Sequence, residues 1–437
     1  MERTVTIGVL GCGNVGAALV ELIDRQGDDI ASRTGVRLEV GRVAVRSLSK
    51  ERAVTVPSEL LTTDAHAVAT DPSIDLVVEV IGGIEPTREL ITSALKAAKP
   101  VVTANKELLA NVGVELFGEA DAAGVDLLFE AAVAGGIPIV RPLRESLVGE
   151  PVSRVMGIVN GTTNYILTKM TEDGWSYAAA LAEAQSLGYA ERDPTADVEG
   201  FDAGAKAAII ATIAFGAKVV AGDVYHEGIS SLTQTDIDFA ARLGYVIKLL
   251  AIAERFEDNS VAVRVHPAMV PAEHPLASVR DSFNAVFVQG GAVGDLMFYG
   301  RGAGGFPTAS AVLGDVIDAA SNLAKGAHAS IGRFGRAELR SVDELRSPYY
   351  VNLEVQDQPG VLATVAGVFG SHQVSIRSME QEALLDDGER EVPTGTARLI
   401  FITHAAREAD VRATLQELRG LDTVLSVGSV LRVVGAD

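Results

Sequence analysis

The sequence predicts an α/β protein with three units: a doubly wound parallel sheet, a central α+β unit and a small βαββαβ unit. Three observations lead to this prediction. A glycine-rich turn joins a buried strand to a helix at the start of the chain. Strands alternate with helices over residues 1–130, and strands and helices recur in the ferredoxin-like order over residues 347–437.

The composition indicates a well-packed, acidic protein. Hydrophobic residues make up 48% of the 437 residues, enough for several domains of about 100–200 residues each. The formal net charge of −21 disfavours nucleic acid as a partner. The apolar run 207–217 is shorter than the roughly 20 residues that cross a bilayer, and a strand follows Met1 almost directly, so we expect neither a membrane span nor a signal peptide. A single cysteine, Cys12, predicts a reducing, cytoplasmic location.

The first unit opens with the turn Gly11-Cys12-Gly13-Asn14-Val15-Gly16, between a strand at 4–10 and a helix at 17–23. Gly11 allows the tight turn, Gly13 lets the backbone approach a pyrophosphate, and Gly16 permits close packing of helix on strand. The phosphates would lie at the helix N-terminus, near Asn14 and Val15. This context predicts a Rossmann-type dinucleotide-binding domain over residues 1–130, with a structural glycine turn as the alternative.

The rest of this unit alternates regularly. Further strands are predicted at 38–45, 75–81, 100–103 and 125–130, and further helices at 86–98 and 106–123. The end of the second strand selects the dinucleotide in such domains. Arg46 ends that strand and Lys50 follows, whereas Glu39 lies too early to reach the ribose. We therefore expect NADP(H), with NAD(H) possible. A solvated surface arginine is the alternative.

The central unit, residues 131–325, mixes helices with strands. Its predicted helices are 176–187, 201–221, 234–254 and 308–323, and its predicted strands are 261–266 and 285–289. The segment 305–323 can return to the first unit. A polar linker is expected at 326–346. The C-terminal unit should contain strands 349–355, 374–381, 396–403 and 422–434, helices 361–369 and 405–419, and an acidic loop at 385–395.

Two lysines are candidates for chemistry. Lys206 lies four residues after Asp202, hence on the same face of a helix. The preceding segment supplies further carboxylates: Glu191, Asp193, Asp197 and Glu199. Such a cluster suits a substrate ammonium group and a proton donor for a developing oxyanion, although the spacing alone favours an ordinary helix salt bridge of ~0.3–0.5 kcal/mol.

Lys106 and Thr103 lie at the carboxyl end of a predicted parallel strand, where open sheets bind ligands. A role in a binding site and a plain position at a helix start are equally consistent with the sequence at Lys106.

Six motifs occur in order: GCGNVG, VVTANK (101–106), FEAAVAGGIP (129–138), VNGTTNY (159–165), GYAERDP with GFDAGAK (188–206), and GRGAG (300–304). Together they resemble homoserine dehydrogenase of the monofunctional kind, with a C-terminal ACT domain, over essentially the whole chain. The resemblance implies a central unit for catalysis and dimerisation, and a homo-oligomer, dimer or tetramer.

The resemblance also implies a reaction: a nicotinamide cofactor reduces L-aspartate 4-semialdehyde to L-homoserine, in the branch towards threonine, methionine and isoleucine. Lys206 would be the general acid/base, and Glu191 and Asp202 would hold the substrate. Lys106 would lie close to substrate and cofactor. Gly188 and Gly304 would line the cofactor site.

The family binds a monovalent cation, sodium, near the segment that matches residues 129–138. The resemblance implies that Glu130 supplies a carboxylate and that Val133, Gly135 and Ile137 supply carbonyl oxygens. Oxygen ligands suit a hard cation. On the sequence alone, a glycine-rich hinge between the first two units is an equally good interpretation.

The segment Asp357-Gln358-Pro359-Gly360-Val361-Leu362 matches the ACT signature, in which a helix N-terminus meets an amino-acid carboxylate. The resemblance implies inhibition by threonine. However, Ser371-His372-Gln373-Val374-Ser375-Ile376 lacks the Gly-Ile/Val-Asn-Ile form frequent in ligand-binding ACT domains, so a unit that acts only in oligomer packing is the alternative. Another ACT-bearing dehydrogenase, for phosphoglycerate or prephenate, and a non-catalytic amino-acid sensor are the competing functions.

Overall fold

The computed structural model describes residues 3–49, 56–329, 332, 334–384 and 395–435. Lys50 and residues 385–394 of the predicted acidic loop lie outside the described residues. Within these ranges, no helix combines the length and the apolar character that a membrane crossing needs.

The first unit is a parallel sheet with helices on both faces. Its strands are β1 (Arg3–Leu10), β2 (Val36–Ala44), β3 (Leu61–Thr62), β4 (Leu76–Glu79), β5 (Val101–Thr103) and β6 (Leu127–Leu128), and its helices are α1 (Asn14–Thr34), α2 (Ala65–Thr70), α3 (Thr87–Lys96) and α4 (Lys106–Ala123). The strand order is β3-β2-β1-β4-β5-β6. The order reverses between β1 and β4, which is where such sheets bind ligands beyond the carboxyl ends of their strands. The predicted Rossmann-type sheet is confirmed.

Helix α4 coincides with its predicted range because both of its ends carry clear signals. The Asn105 side chain caps the first turn by accepting the Leu108 N–H at 3.0 Å, and Gly124 ends the helix in a left-handed conformation. The strand predicted at 125–130 is shorter than expected. After β6 the chain leaves the sheet and forms a 3₁₀ turn, Glu130–Ala132.

The central unit contains strands β7 (Val152–Ile158), β8 (Tyr225–His226), β9 (Tyr245–Arg255), β10 (Val261–Pro271), β11 (Phe283–Gly290) and β12 (Gly294–Arg301), and helices α5 (Gly161–Glu172), α6 (Tyr177–Ser186), α7 (Thr195–Val198), α8 (Phe201–Phe215), α9 (Gln234–Arg242) and α10 (Gly305–Lys325). Its main strands run in the order β12-β11-β7-β9-β10. Helix α8 packs between this sheet and α4, so it joins the central unit to the first unit.

The single helix predicted at 234–254 is wrong. Helix α9 ends at Arg242, Gly244 adopts a φ of +82°, and the chain continues as β9. Strand β9 lies between β7 and β10, and most of its residues are buried on both faces. Such a strand is a continuous apolar run, which hydrophobic periodicity does not distinguish from a buried helix.

Helix α10 returns to the first unit. It packs along α1, and its side chains Ala309, Val312 and Val316 share a buried cluster with β1 and β4. The N-termini of the two helices meet, because a Cβ on Gly305 would lie 3.2 Å from the Asn14 carbonyl oxygen. The carboxyl edge of the parallel sheet is therefore bordered by two helix N-termini.

The C-terminal unit contains β13 (Arg346–Ser347), β14 (Tyr349–Gln356), α11 (Val361–Ser371), β15 (Ile376–Ala383), β16 (Thr396–Thr403), β17 (Ala406–Arg407), α12 (Glu408–Leu418) and β18 (Val424–Val433). The order β15-β16-β14-β18 confirms the predicted ferredoxin-like arrangement. Strand β18 also pairs with β10 through Ala268↔Arg432 and Met269↔Val433, so one sheet runs through both units.

Candidate active site

Two adjoining cavities lie at the carboxyl edge of the parallel sheet. The larger, of about 900 Å³, is lined by Gly11, Gly13 and Arg46, and the smaller, of about 290 Å³, by Lys106 and Lys206. Val80, Ile81 and Gly82 belong to the walls of both. An extended ligand can therefore reach from the glycine turn to the two lysines.

The glycine turn has the geometry that its sequence predicts. Gly11 has a φ of +105°, and a Cβ there would lie 2.8 Å from the Val80 carbonyl oxygen. A Cβ on Gly16 would lie 2.2 Å from the Gly11 carbonyl oxygen, so this position accepts no side chain. A Cβ on Gly13 would meet nothing within 4 Å, which leaves room for a phosphate at the start of α1.

The charges around the larger cavity bear on the choice of dinucleotide. Among the described residues that line it, Arg46 is the cationic side chain and Glu85 the carboxylate. Arg46 is exposed and lies just beyond β2, whose last residue, Ala44, accepts the Gly11 N–H at 3.0 Å. An arginine at this position suits a 2′-phosphate.

Asp202 lies between the two lysines. One of its carboxylate oxygens accepts a hydrogen bond from Lys206 Nζ at 2.7 Å, and the other forms an ion pair with Lys106 Nζ. The side chain of Asp202 is 6% exposed and that of Lys206 12%, whereas Lys106 is 45% exposed and opens to the cavity. Lys206 also donates to the Val159 carbonyl at 2.7 Å. The Asp202–Lys206 pair is thus part of a buried cluster whose third member, Lys106, comes from the first unit.

Burial and charge shift the pKa values of this cluster in different directions. Burial and the neighbouring Lys106 charge lower the pKa of Lys206, although Asp202 opposes them. Burial would lower the pKa of Lys106, but the charge of Asp202 outweighs it and the pKa is raised. Burial would raise the pKa of Asp202, but the two lysines lower it far below its usual range. Lys206 is therefore the lysine that releases a proton more readily.

Asn160 is a site residue that the sequence reasoning missed. Its side-chain amide donates to Asp202 at 2.9 Å and to Asp197 at 2.7 Å, while its oxygen caps α5 by accepting the Thr163 N–H. Burial raises the pKa of Asp197. The signal was available in VNGTTNY, since an asparagine before a helical run is a typical N-cap.

Glu191 and Gly188 lie in the segment between α6 and α7. Glu191 is exposed, and its backbone carbonyl accepts a hydrogen bond from Gln185 Nε2 at 3.0 Å. Neither residue is among the described residues that line the two cavities. The segment is tied to the site through Thr162 Oγ1, which donates to the Tyr189 carbonyl at 2.6 Å.

Thr103 lies behind the cavity wall. It is fully buried, and its hydroxyl donates to the carboxylate of Glu79. The other oxygen of Glu79 accepts the N–H groups of Ile81 and Gly82, at 2.7 and 3.0 Å. Thr103 therefore holds the loop that lines both cavities.

The carboxylate of Glu130 accepts three backbone N–H groups, from Ile139, Val140 and Arg141, at 2.6–2.8 Å. Its own N–H donates to the buried Asp315 at 2.7 Å. A carboxylate has about four acceptor positions, so one remains for a cation.

The carbonyl oxygens of Val133, Gly135 and Ile137 accept no hydrogen bond from the described residues, which fits the donor set of a hard cation. The same loop packs tightly on the segment before α10, because a Cβ on Gly135 would lie 2.2 Å from the Gly302 carbonyl oxygen. Gly304 is the N-cap of α10, and its carbonyl accepts the Thr308 N–H at 3.1 Å beside the smaller cavity.

In the C-terminal unit, Gly360 is the N-cap of α11, as the signature predicts. Asp357 Oδ1 accepts a hydrogen bond from Gln381 Nε2 at 3.2 Å. Gln373, in the segment that departs from the frequent form, has a φ of +61°, a conformation that favours glycine.

Family comparisons match all three units. The family described as homoserine dehydrogenase matches residues 138–317, its NAD-binding domain matches residues 11–130, and the ACT domain matches residues 349–423. A homoserine dehydrogenase of Corynebacterium glutamicum is 51% identical over 98% of this chain and 95% of its own length.

Solved structures agree. The crystal structure of a homoserine dehydrogenase from Thiobacillus denitrificans has a TM-score of 0.92 at 40% identity, over 99% of this chain and 98% of that one. A hyperthermophilic archaeal homoserine dehydrogenase in complex with NADPH has a TM-score of 0.62 at 29% identity, over 72% of this chain and 98% of that one.

Proposed function

We propose, from the premise that this chain belongs to the homoserine dehydrogenase family, that it reduces L-aspartate 4-semialdehyde to L-homoserine with Lys206 as the proton donor. As a member of that family it is an oxidoreductase that acts on a CH–OH group. The observation that carries the assignment of roles is the buried cluster of Lys106, Asp202 and Lys206 beside the glycine turn.

The chemistry needs a hydride at the aldehyde carbon and a proton at its oxygen. When bound, the nicotinamide supplies the hydride. Lys206 Nζ gives a proton to the oxygen, so that the C=O becomes CH–OH and the lysine becomes neutral. Its lowered pKa supports this role, because a donor that releases its proton more easily protonates the developing alkoxide better. In the reverse direction the neutral lysine takes the proton from homoserine.

Lys106 has a different role in this proposal. Its pKa is raised and its side chain is half exposed towards the cavity, so it stays charged and stabilises negative charge on the substrate. Asp202 binds the ammonium groups of Lys106 and Lys206, one at each carboxylate oxygen, and the Asn160 amide fixes the position of Asp202. Glu191, in the exposed segment before α7, and Asp202 are the residues proposed to hold the substrate.

We propose NADP(H) as the preferred dinucleotide and NAD(H) as a weaker alternative. Arg46 at the end of the second strand supports this preference, as does the archaeal relative that binds NADPH. Gly11, Gly13, Asn14, Val15 and Gly16 would hold the pyrophosphate at the start of α1, with Gly304 beside them.

We also propose a sodium ion held by Glu130 and by the carbonyl oxygens of Val133, Gly135 and Ile137. Such an ion would stiffen the loop that packs against the segment before α10. It takes no part in the transfer of hydride or proton.

The remaining proposals concern regulation and assembly. Threonine is the proposed inhibitor, acting through the ACT domain, in a cytoplasmic pathway towards threonine, methionine and isoleucine. A homo-oligomer, dimer or tetramer, is supported by the long sheet, which has edge strands at both ends, β12 and β15.

The test is the oxidation of NADPH by the purified protein with L-aspartate semialdehyde, with and without threonine. Turnover that depends on the aldehyde supports the dehydrogenase assignment. A folded protein that binds NADPH but does not oxidise it with this substrate contradicts the assignment. Parallel assays with NADH measure the cofactor preference.

A further inference from the structure

A third cavity lies between the C-terminal unit and the central unit. Its volume is about 620 Å³, within the range of about 300–1,000 Å³ that is usual for small-molecule sites. One wall is the start of α9 with the segment before it, including Ser231 and Thr233. The other walls are β14, β16, β18 and α12 of the ACT domain. Its lining shares no residue with the two cavities of the active site.

The charges in this cavity are balanced. It is lined by four arginines and four carboxylates: Arg398, Arg412, Arg419 and Arg432, and Glu227, Asp236, Glu354 and Glu408. Several already pair with each other, as Arg398 does with Glu354 at 3.5 Å. A cavity with both signs and no excess charge suits a zwitterion better than a phosphate or a nucleotide, which would need a surplus of cationic groups.

Two polar atoms in its wall have no hydrogen-bond partner among the described residues, Asn352 Oδ1 and Arg398 Nε. Asn352 is only 7% exposed. Since Asn352 is paired with Ile400 and Glu354 with Arg398, Asn352 and Arg398 are diagonal neighbours on one face of the sheet. One is an acceptor and the other a donor, as the ammonium and carboxylate groups of an amino acid require.

We propose that this cavity binds a free α-amino acid, whose ammonium group bonds Asn352 and whose carboxylate bonds Arg398. The proposal rests on the regulatory role given above to the ACT domain, and it moves the ligand away from the signature turn. Two residues agree with this, one in that turn and one in the segment after α11 that departs from the frequent form. Asp357 is already bonded to Gln381, and Gln373 places a side chain where the frequent form has glycine.

The cavity is connected to the active site through a short chain of contacts. Arg432 is buried, and its guanidinium donates to Glu227 at 2.9 and 3.0 Å and to Glu408 at 2.8 and 2.9 Å. The residue after Glu227 is Gly228, where a Cβ would lie 2.4 Å from the Val198 carbonyl oxygen. The Val198 carbonyl also accepts the Ile229 N–H at 2.8 Å.

Val198 directly follows Asp197, which shares the Asn160 amide with Asp202. Because Glu227 and Arg432 line the same cavity, a ligand that shifts either of them on binding also shifts the carboxylate that holds the two lysines. The expected effect of the ligand is a higher KM for the semialdehyde with unchanged binding of NADPH.

The test uses the full-length protein and L-threonine as the first probe, followed by the other proteinogenic amino acids. Binding is measured by calorimetry and inhibition by NADPH oxidation. The variants Arg398→Gln and Asn352→Leu, both in the wall, should each weaken binding at least ~10-fold and keep activity without effector. The matched control Asp357→Asn, at the signature turn, should bind like the parent protein.

Glu227→Gln separates binding of the amino acid from its effect on the active site. This variant should bind the amino acid, but its KM for the semialdehyde should not change when the amino acid is added. If Asp357→Asn abolishes binding and both cavity variants retain it, the ligand lies at the turn and the proposal is wrong. If the active parent protein binds no amino acid, the cavity proposal also fails, while the dehydrogenase assignment stands. A parent protein that binds threonine in the cavity but never turns over would contradict the dehydrogenase assignment alone.

Discussion

Replacing Lys206 by methionine separates chemistry from stability. Methionine keeps most of the stem of the side chain and removes the ammonium group. Asp202 then still has Lys106 as its counter-ion, so no buried charge loses its only partner. Because the desolvation of Lys206 is also relieved, we expect the free energy of unfolding to change by less than ~1–2 kcal/mol. Turnover should fall at least ~10²-fold, the usual effect of a positioned general acid.

The contrasting variant is Asp202→Asn. It leaves two ammonium groups beside a neutral amide, and the loss of one partner of a buried pair costs ~3–5 kcal/mol. This variant should therefore lose stability as well as activity. Thermal unfolding, NADPH binding and steady-state turnover are measured for both variants beside the parent protein.

The pH profile completes the test. Reduction of the aldehyde uses the ammonium form of Lys206, so its rate should fall as the pH rises through the lowered pKa of this lysine. Oxidation of homoserine should show the opposite slope. In Lys206→Met this dependence should be absent. Near-normal turnover with the pH dependence retained would remove Lys206 from the proposed role, and a loss of NADPH binding would mean that the variant acts through the fold.

Three further predictions concern other parts of the molecule. Gly16→Ala should abolish NADPH binding, because its Cβ would lie 2.2 Å from the Gly11 carbonyl oxygen. In Gly27→Ala, in the same helix, the Cβ meets nothing within 4 Å, so this variant should bind NADPH and have a higher melting temperature. Titration with NADPH and thermal melts distinguish the two variants. Arg46→Asp should shift the ratio of kcat/KM from NADPH towards NADH, and an unchanged ratio would exclude contact with the 2′-phosphate. Burial raises the pKa of Asp315 to about 7, above its unfolded value, so this carboxyl group should contribute a loss of stability as the pH rises from about 4 to about 7. In Asp315→Asn the free energy of unfolding, measured by chemical denaturation at matched pH values, should fall less steeply with pH than in the parent protein. An equal slope would contradict the raised pKa of Asp315.

Features encoded by neighbours in the chain were predictable from the sequence. The glycine turn and the range of α4 follow from a strand, a cap and a left-handed glycine within a few residues. The helix predicted at 234–254 was wrong for a physical reason. A strand covered on both faces needs an unbroken apolar run, and the sheet that covers β9 is assembled from distant segments. The role of Asn160 was missed for a similar reason, since a helix cap does not show what else its amide reaches.

The sequence by itself determined the dinucleotide turn, the three units and their order, because these depend on local conformation and on hydrophobic patterning. Only the tertiary structure decided that Lys106 approaches Asp202 and Lys206 from a different domain, and that Glu227 meets Arg432. These contacts join residues about a hundred or two hundred positions apart, and no local propensity encodes them. They form because α8 packs between α4 and the central sheet, and because β18 adds to the edge of β10. Burial and the neighbouring charges together give these groups their shifted pKa values, which the same residues would not have on an exposed helix.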